Sequence, residues 1–160
     1  MVWGSFWCRN RGTFSPLIFK SVNKGVYVKL LEYLFLPVLT RIHDTLEDPI
    51  FQQDNAPVHK AAVVMDFFEK YNIQVDDWPP YSPDLNPIEH FWVELKLRLH
   101  MKYPDIGNTQ GGPHEVKARL AVVLPEIWED IPDAYLETLW KSLPDGVAAV
   151  IDAKGWYRRH

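Results

Sequence analysis

The chain has 160 residues, 47% apolar and 24% charged, a balance that buries one core of ordinary size and excludes a disordered polypeptide. Its net charge of −4 weighs against a stand-alone nucleic-acid binder, and its single cysteine, Cys8, excludes an internal disulfide and fits a reducing compartment. The longest apolar stretch, 30–39, is broken by Glu32 and Pro37 and falls well short of the roughly 20 residues a membrane span needs, and Met1 leads straight into a strand pattern with no secretory leader.

Residues 2–7 and 14–19 are β-rich runs joined by a turn containing Asn10 and Gly12, the pattern of a hairpin. From Tyr27 the apolar positions fall at 27, 30, 31, 34, 35 and 38, one face of a helix that Pro37 should kink. Residues 49–53 form a compact apolar strand ending in a polar turn, with Asp54 at its carboxyl tip. Ala61, Val64, Met65 and Phe68 predict a second amphipathic helix, and 73–75 a brief strand before the proline-rich loop 78–83.

The next helix has a clear start: Asn86 can cap it, Pro87 suits its first position, and Glu89 stands where a capping box places its acid. Ile88, Phe91, Trp92, Leu95 and Leu99 form its buried stripe. Residues 101–113 read as a loop, 115–128 as a helix despite Pro125, and 132–143 as another. This order predicts an α/β fold on a mixed sheet flanked by helices. Residues 1–100 form its core, and residues 101–160 are a loop and helical extension of the same domain.

The charge is uneven along the chain. Residues 54–100 carry 4 Lys and Arg against 8 Asp and Glu, so the middle is the acidic part. A solvated acidic face explains that tally, and so do carboxylates gathered around a divalent cation. Asp54 stands at a strand terminus, where ligands collect in open α/β sheets, and Glu89 lies in a first helical turn from which it could point towards Asp54. Two Mg²⁺ ions roughly 4 Å apart activate the attacking oxygen and stabilise the leaving one in phosphodiester cleavage, and they need hard oxygen ligands. Taken alone, each acid has a plainer role: Asp54 as a turn residue, Glu89 as the capping-box acid. His59 and His90 read as surface or packing residues, since Mg²⁺ prefers oxygen. Asp44, Asp48, Asp66, Asp76 and Asp77 read as solvated or capping.

The ordered combination changes that balance. Gln53-Asp54-Asn55-Ala56-Pro57 with His59, then Trp78-Pro79-Pro80-Tyr81-Ser82-Pro83-Asp84-Leu85-Asn86-Pro87-Ile88-Glu89 with Trp92, resembles the mariner-type superfamily of cut-and-paste transposases. Thirty-four residues separate Asp54 from Glu89, as in the branch whose DDE triad ends in Glu. Val2-Trp3-Gly4 resembles the segment that follows that family's first catalytic strand. Ile131-Pro132, Leu139, Ser142, Pro144, Val147, Ile151 and Ala153-Lys154-Gly155 resemble its closing segment.

The resemblance implies an RNase H-like fold that cuts and rejoins DNA with Mg²⁺ or Mn²⁺. Asp54 and Glu89 would be the second and third catalytic, metal-holding acids, and Asn55, His59, Asn86 and His90 would contact DNA or orient the acids. It implies DNA as partner, a homodimer and a nuclear location, with no membrane and no small-molecule substrate. The family's first catalytic Asp lies on a strand ahead of Val2-Trp3-Gly4. The expectation is therefore a truncated domain, inactive alone, with that first strand missing. Asp145 departs from the pattern by placing negative charge where the family carries basic residues. The alternative is a domesticated RNase H-like module that binds nucleic acid or protein without catalysis.

Overall fold

The computed structural model describes residues 2–16, 21–79 and 82–152, with the side chain of Asp84 excepted. Residues 17–19 of the expected second strand, 80–81 of the loop and the Ala153-Lys154-Gly155 motif lie outside the described residues.

Strand β1 (Val2–Trp7) pairs antiparallel with β2 (Asn10–Pro16), Val2 opposite Pro16 and Trp7 opposite Asn10, with a bulge between Gly4 and Phe6. The turn is tighter than expected. It comprises residues 8–9, with Cys8 at a φ of 50°, while Asn10 and Gly12 belong to the strand. Gly12 is needed there for close approach, because a Cβ would collide with the Ser5 side chain across the ladder. Side chains alternate along β1. Trp3 and Trp7 join one apolar cluster, while Val2 and Phe6, with Phe14 of β2, join a second.

The first cluster is built by the helices after the hairpin. Helix α1 (Lys24–Leu30) is capped by Asn23, whose side chain accepts the Val26 N–H at 3.0 Å. A π-helical turn, Leu31–Phe35, then leads into α2 (Leu36–His43). The expected kink at Pro37 takes this form: Pro37 has no N–H for the turn before it, and widening that turn absorbs the loss. Tyr27, Leu30, Leu31, Phe35, Val38 and Ile42 are buried. Helix α3 (Ala62–Lys70) adds Val64, Phe67 and Phe68. Met65, expected in that stripe, is 44% exposed, because the buried face is centred on Phe67, whose ring lies against Phe68 and Tyr71.

Strands β3 (Ile50–Phe51) and β4 (Gln74–Val75) are shorter than expected and pair parallel. Phe51 packs on Phe35 and Phe68, while Ile50 is 55% exposed. The α/β class stands, but among the described residues the strands form two separate pairs, β1 with β2 and β3 with β4.

The second cluster belongs to α4 (Pro87–Lys102), α5 (Pro113–Asp130) and α6 (Asp133–Asp152). Phe91, Leu95 and Leu99 of α4 are buried as expected, with Ile88 and Trp92 partly so. Helix α5 carries Pro125 in its interior, and α6 passes through Pro144 instead of stopping at Leu143. A proline deletes one backbone bond, here to the carbonyl of Trp140, and that residue is exposed enough for water to replace it. Trp128, 1% exposed, sits at the centre of the cluster, its ring 4.5 Å from Phe91 and 4.8 Å from Phe14.

Two tests follow from this packing. A Cβ on Gly4 would lie 2.8 Å from Cη2 of Trp128 and 2.9 Å from Cη2 of Trp92. Gly4→Ala is expected to cost about 1–3 kcal/mol in chemical denaturation, the range for overpacking a filled site. At the surface, Lys102 binds Glu126 at 2.8 Å and Asp130 at 2.6 Å, and the Tyr103 hydroxyl donates to Glu126 at 2.6 Å, tying α4 to α5. These bonds, Lys102 first, hold the Glu126 carboxyl below its ordinary range. A depressed carboxylate contributes stability above its unfolded pKa, and loses it as pH falls through the folded value. Stability is therefore expected to decline below about pH 4, with Glu126→Gln flattening that part of the profile in pH-dependent thermal melts.

Candidate active site

Asp54 and Glu89 line the same cavity, about 940 Å³, together with His59 and Asn86. Each acid reaches it from a different element. Asp54 lies in the turn after β3, where its Oδ1 accepts the Ala56 N–H at 3.0 Å and so folds the turn back on itself. The same oxygen accepts from Nδ1 of His59 at 2.6 Å, an N–H···O bond because an ionised carboxylate can only accept. His59 is half sheltered by the ring of Tyr27, 4.4 Å away between centroids. The Tyr27 hydroxyl donates to Oε1 of Gln53 at 2.8 Å. Burial, and secondarily the negative charge of Asp54, raises the Tyr27 phenol above its ordinary pKa, so it stays a neutral donor.

Glu89 enters from the first turn of α4. The capping-box role expected for it is not the one the backbone leaves open. The N–H of Asn86, which a capping-box acid would accept, is bonded instead to the carbonyl of Pro83 at 3.0 Å. Glu89 is exposed at the cavity. Asn86 itself is buried and does cap α4, its Oδ1 accepting the Ile88 N–H at 3.4 Å. That oxygen also accepts from Nε2 of Gln52 at 3.1 Å. One buried amide therefore links the end of β3 to the start of α4, and so couples the segments that carry Asp54 and Glu89.

The other candidates lie apart. Asn55 donates from Nδ2 to the carbonyl of Trp78 at 2.6 Å and braces the loop. His90 is exposed, its carbonyl accepting from the Tyr135 hydroxyl at 3.3 Å, and it does not line the cavity. Gln52, Gln53 and Tyr27 were not among the residues expected to serve the site. The two glutamines adjoin the Asp54 motif, which was the available signal; Tyr27 reads in sequence as core and nothing more.

Asp54 and Glu89 share the cavity wall with Glu47, Asp48 and Asp76, and hard carboxylates suit Mg²⁺ or Mn²⁺ better than a softer ion, because their donors are oxygens. Among the described residues no group of three or more His, Cys, Asp or Glu side chains converges. Asn86→Ala is expected to cost about 1 kcal/mol by loss of the cap, with the Gln52 bond lost alongside it, whereas Gln52→Ala should keep the cap and lose only the bond to Asn86. Urea denaturation of both variants distinguishes the two contributions.

Residues 3–109 match the family described as DDE superfamily endonuclease. The Tcb1 transposase of Caenorhabditis briggsae is 34% identical over 156 residues, covering 98% of this chain and 52% of that protein. The Tc1 transposase of Caenorhabditis elegans is 32% identical over 160 residues, covering 100% of this chain and 54% of that protein. This chain thus spans about half the length of the curated relatives it matches. Among solved structures, the Mos1 transposase catalytic domain with Raltegravir and Mg matches with a TM-score of 0.79 at 21% identity, over 99% of this chain and 76% of that one. The Mos1 paired-end complex with left transposon end matches with a TM-score of 0.76 at 22% identity, over 99% of this chain and 44% of that one. At such identities the likeness establishes the fold, which is RNase H-like.

Proposed function

The chain belongs to the DDE superfamily of endonucleases, and on that premise we propose that it is a catalytic segment of a DNA transposase in which Asp54 and Glu89 hold divalent metal for strand cleavage and transfer. One observation carries the reading: the two acids of the motif, with 34 residues between them in sequence, border a single cavity. When bound, Mg²⁺ or Mn²⁺ polarises a phosphoryl oxygen and makes bound water acidic enough to serve as nucleophile. The chain's own residues supply the placement. His59 orients the Asp54 carboxylate by holding Oδ1, which leaves Oδ2 as the oxygen to meet a cation. Asn86 and Gln52 keep the start of α4, and with it Glu89, in register with the strand end. Such positioning partners matter because a carboxylate fixed in advance binds metal more tightly than a mobile one.

DNA is the proposed partner: relatives of this chain are transposases, and a fold neighbour is a paired-end complex with a transposon end. That complex also motivates the proposal of a homodimer, and a DNA substrate that of a nuclear location. Among the described residues no helix is long and apolar enough to cross a membrane. Residues 101–160 act in this reading as an extension of the core, supported by the burial of Trp128 and Leu136 in one cluster with Phe91.

The test is Mn²⁺ titration of the purified chain followed by paramagnetic broadening of backbone amides. The expected result is joint broadening of amides around Asp54 and Glu89 at substoichiometric metal. Broadening centred elsewhere, or confined to one of the two segments, would overturn the assignment.

A further inference from the structure

The side chain of Asp54 is 56% exposed, so packing does not fix it, and an exposed carboxylate keeps its rotamer freedom unless neighbours hold it. Among the described residues two donors do so. Its Oδ1 accepts the Ala56 N–H at 3.0 Å and the Nδ1–H of His59 at 2.6 Å. The same ring nitrogen lies 3.3 Å from the main-chain carbonyl of Asp54, so both acceptors within its reach belong to that residue. His59 stands in the turn ahead of α3, its backbone N–H bonded to the carbonyl of Ala56 at 2.9 Å, and the ring that covers its imidazole is that of Tyr27.

Tyr27 comes from the first turn of α1, where its N–H bonds to the carbonyl of Asn23 at 2.9 Å. The helical stripe carries it into the first apolar cluster beside Leu30 and Leu31, where it is 5% exposed. A phenol so deeply buried needs a partner for its hydroxyl. That partner is Oε1 of Gln53, the residue immediately before Asp54. A phenylalanine would fill the same cluster without a buried polar group to satisfy, so packing alone does not account for the hydroxyl. One ring held in a close-packed core thus reaches both flanks of Asp54. Its hydroxyl meets the residue before the acid, and its face meets the histidine that binds the acid.

We propose that Tyr27 is a positioning residue for Asp54, acting through Gln53 with its hydroxyl and through His59 with its ring. The inference rests on the metal-holding role of Asp54 for what the carboxylate then does, whereas the placement itself belongs to the chain without metal. Its consequence for a cation is tighter binding, because partners that orient a ligand spare the metal that ordering step.

The test reads the histidine ring nitrogens of the whole, metal-free chain by ¹⁵N NMR at about pH 8.5, above the ordinary histidine range. Hydrogen exchange at the Ala56 N–H, whose bond to Oδ1 reports the order of the carboxylate, is measured alongside, followed by Mn²⁺ titration. The unaltered chain is expected to hold His59 as its Nδ1–H tautomer. Tyr27→Leu, with the circular dichroism spectrum unchanged, is expected to release His59 to the tautomer mixture of the exposed His90. It should also speed Ala56 exchange and weaken Mn²⁺ binding at Asp54 by about tenfold. Tyr27→Phe keeps the ring, so it should restore the tautomer and leave a smaller, several-fold change in exchange and affinity, the scale of one hydrogen bond. Gln53→Met should reproduce that smaller change, and the double variant should lose no more than either alone, since both remove the same contact.

Three results would each overturn the proposal: His59 of the unaltered chain in the other tautomer, a folded Tyr27→Leu variant with tautomer and Ala56 exchange unchanged, or additive effects of Tyr27→Phe and Gln53→Met. If Tyr27→Leu does not fold, that last pair decides through Ala56 exchange. The expected tautomer and exchange changes without any Mn²⁺ response at Asp54 would sink the metal-holding role and leave the positioning role of Tyr27 standing.

Discussion

Trp128→Ala is expected to be the most damaging single core substitution, costing about 3–5 kcal/mol and lowering the melting temperature on the order of 10 °C. The indole is 1% exposed and touches Phe14, Phe91 and Trp92, so it joins the hairpin to α4 as well as filling α5. Truncation leaves a cavity whose walls are aromatic rings, which relax poorly into the space. Trp128→Phe separates volume from polarity. The indole N–H has no hydrogen-bond partner among the described residues. The phenyl variant therefore removes a buried orphan donor along with some volume, and its loss should be well under half that of the alanine variant. Differential scanning calorimetry of the two variants measures both quantities. Equal losses would show that packing volume does not dominate at this site.

Asp54→Asn and Glu89→Gln are expected to abolish the joint Mn²⁺ broadening while leaving the melting temperature nearly unchanged. Neither carboxylate is buried, so neutralising it leaves no unpaired charge in the core. Each substitution keeps shape and removes only the charge a hard cation requires. His59→Ala should act more weakly, about 10–100-fold in metal affinity, the range for removing a partner that orients a ligand. The order Asp54 and Glu89 first, His59 second and His90 without effect discriminates the site from a diffuse acidic surface. A surface effect would instead scale with net charge, and would respond equally to Asp66→Asn or Asp77→Asn, which lie away from the cavity.

The site was legible in sequence to the extent that its signal was local and chemical. Asp54, Asn55, His59, Asn86 and Glu89 all lie within two short motifs, and the 34-residue spacing sufficed to pair the acids. Their contacts were not legible. That Asn86 serves both as helix cap and as anchor for Gln52, and that the Asn86 N–H goes to Pro83 instead of Glu89, depends on the path of the loop between β4 and α4. Asn55 and His90 stand beside the acids in sequence but not at the cavity, because adjacent residues leave a turn or a helix in different directions.

Much of the fold was written in periodicity and capping: the stripe from Tyr27 to Val38, the start of α4 at Asn86-Pro87, and the stripe of Phe91, Leu95 and Leu99. Such signals survive in sequence because burial of one helix face repeats every three to four residues. The tertiary structure decided what no local pattern encodes. Pro144 lies inside α6 because the exposed turn lets water satisfy the carbonyl it orphans. Phe67 displaces Met65 from the core because its ring has neighbours to meet. The division of the strands into two pairs, with a cavity between their free edges, is a property of long-range placement, since pairing partners are chosen by contacts far apart in the chain.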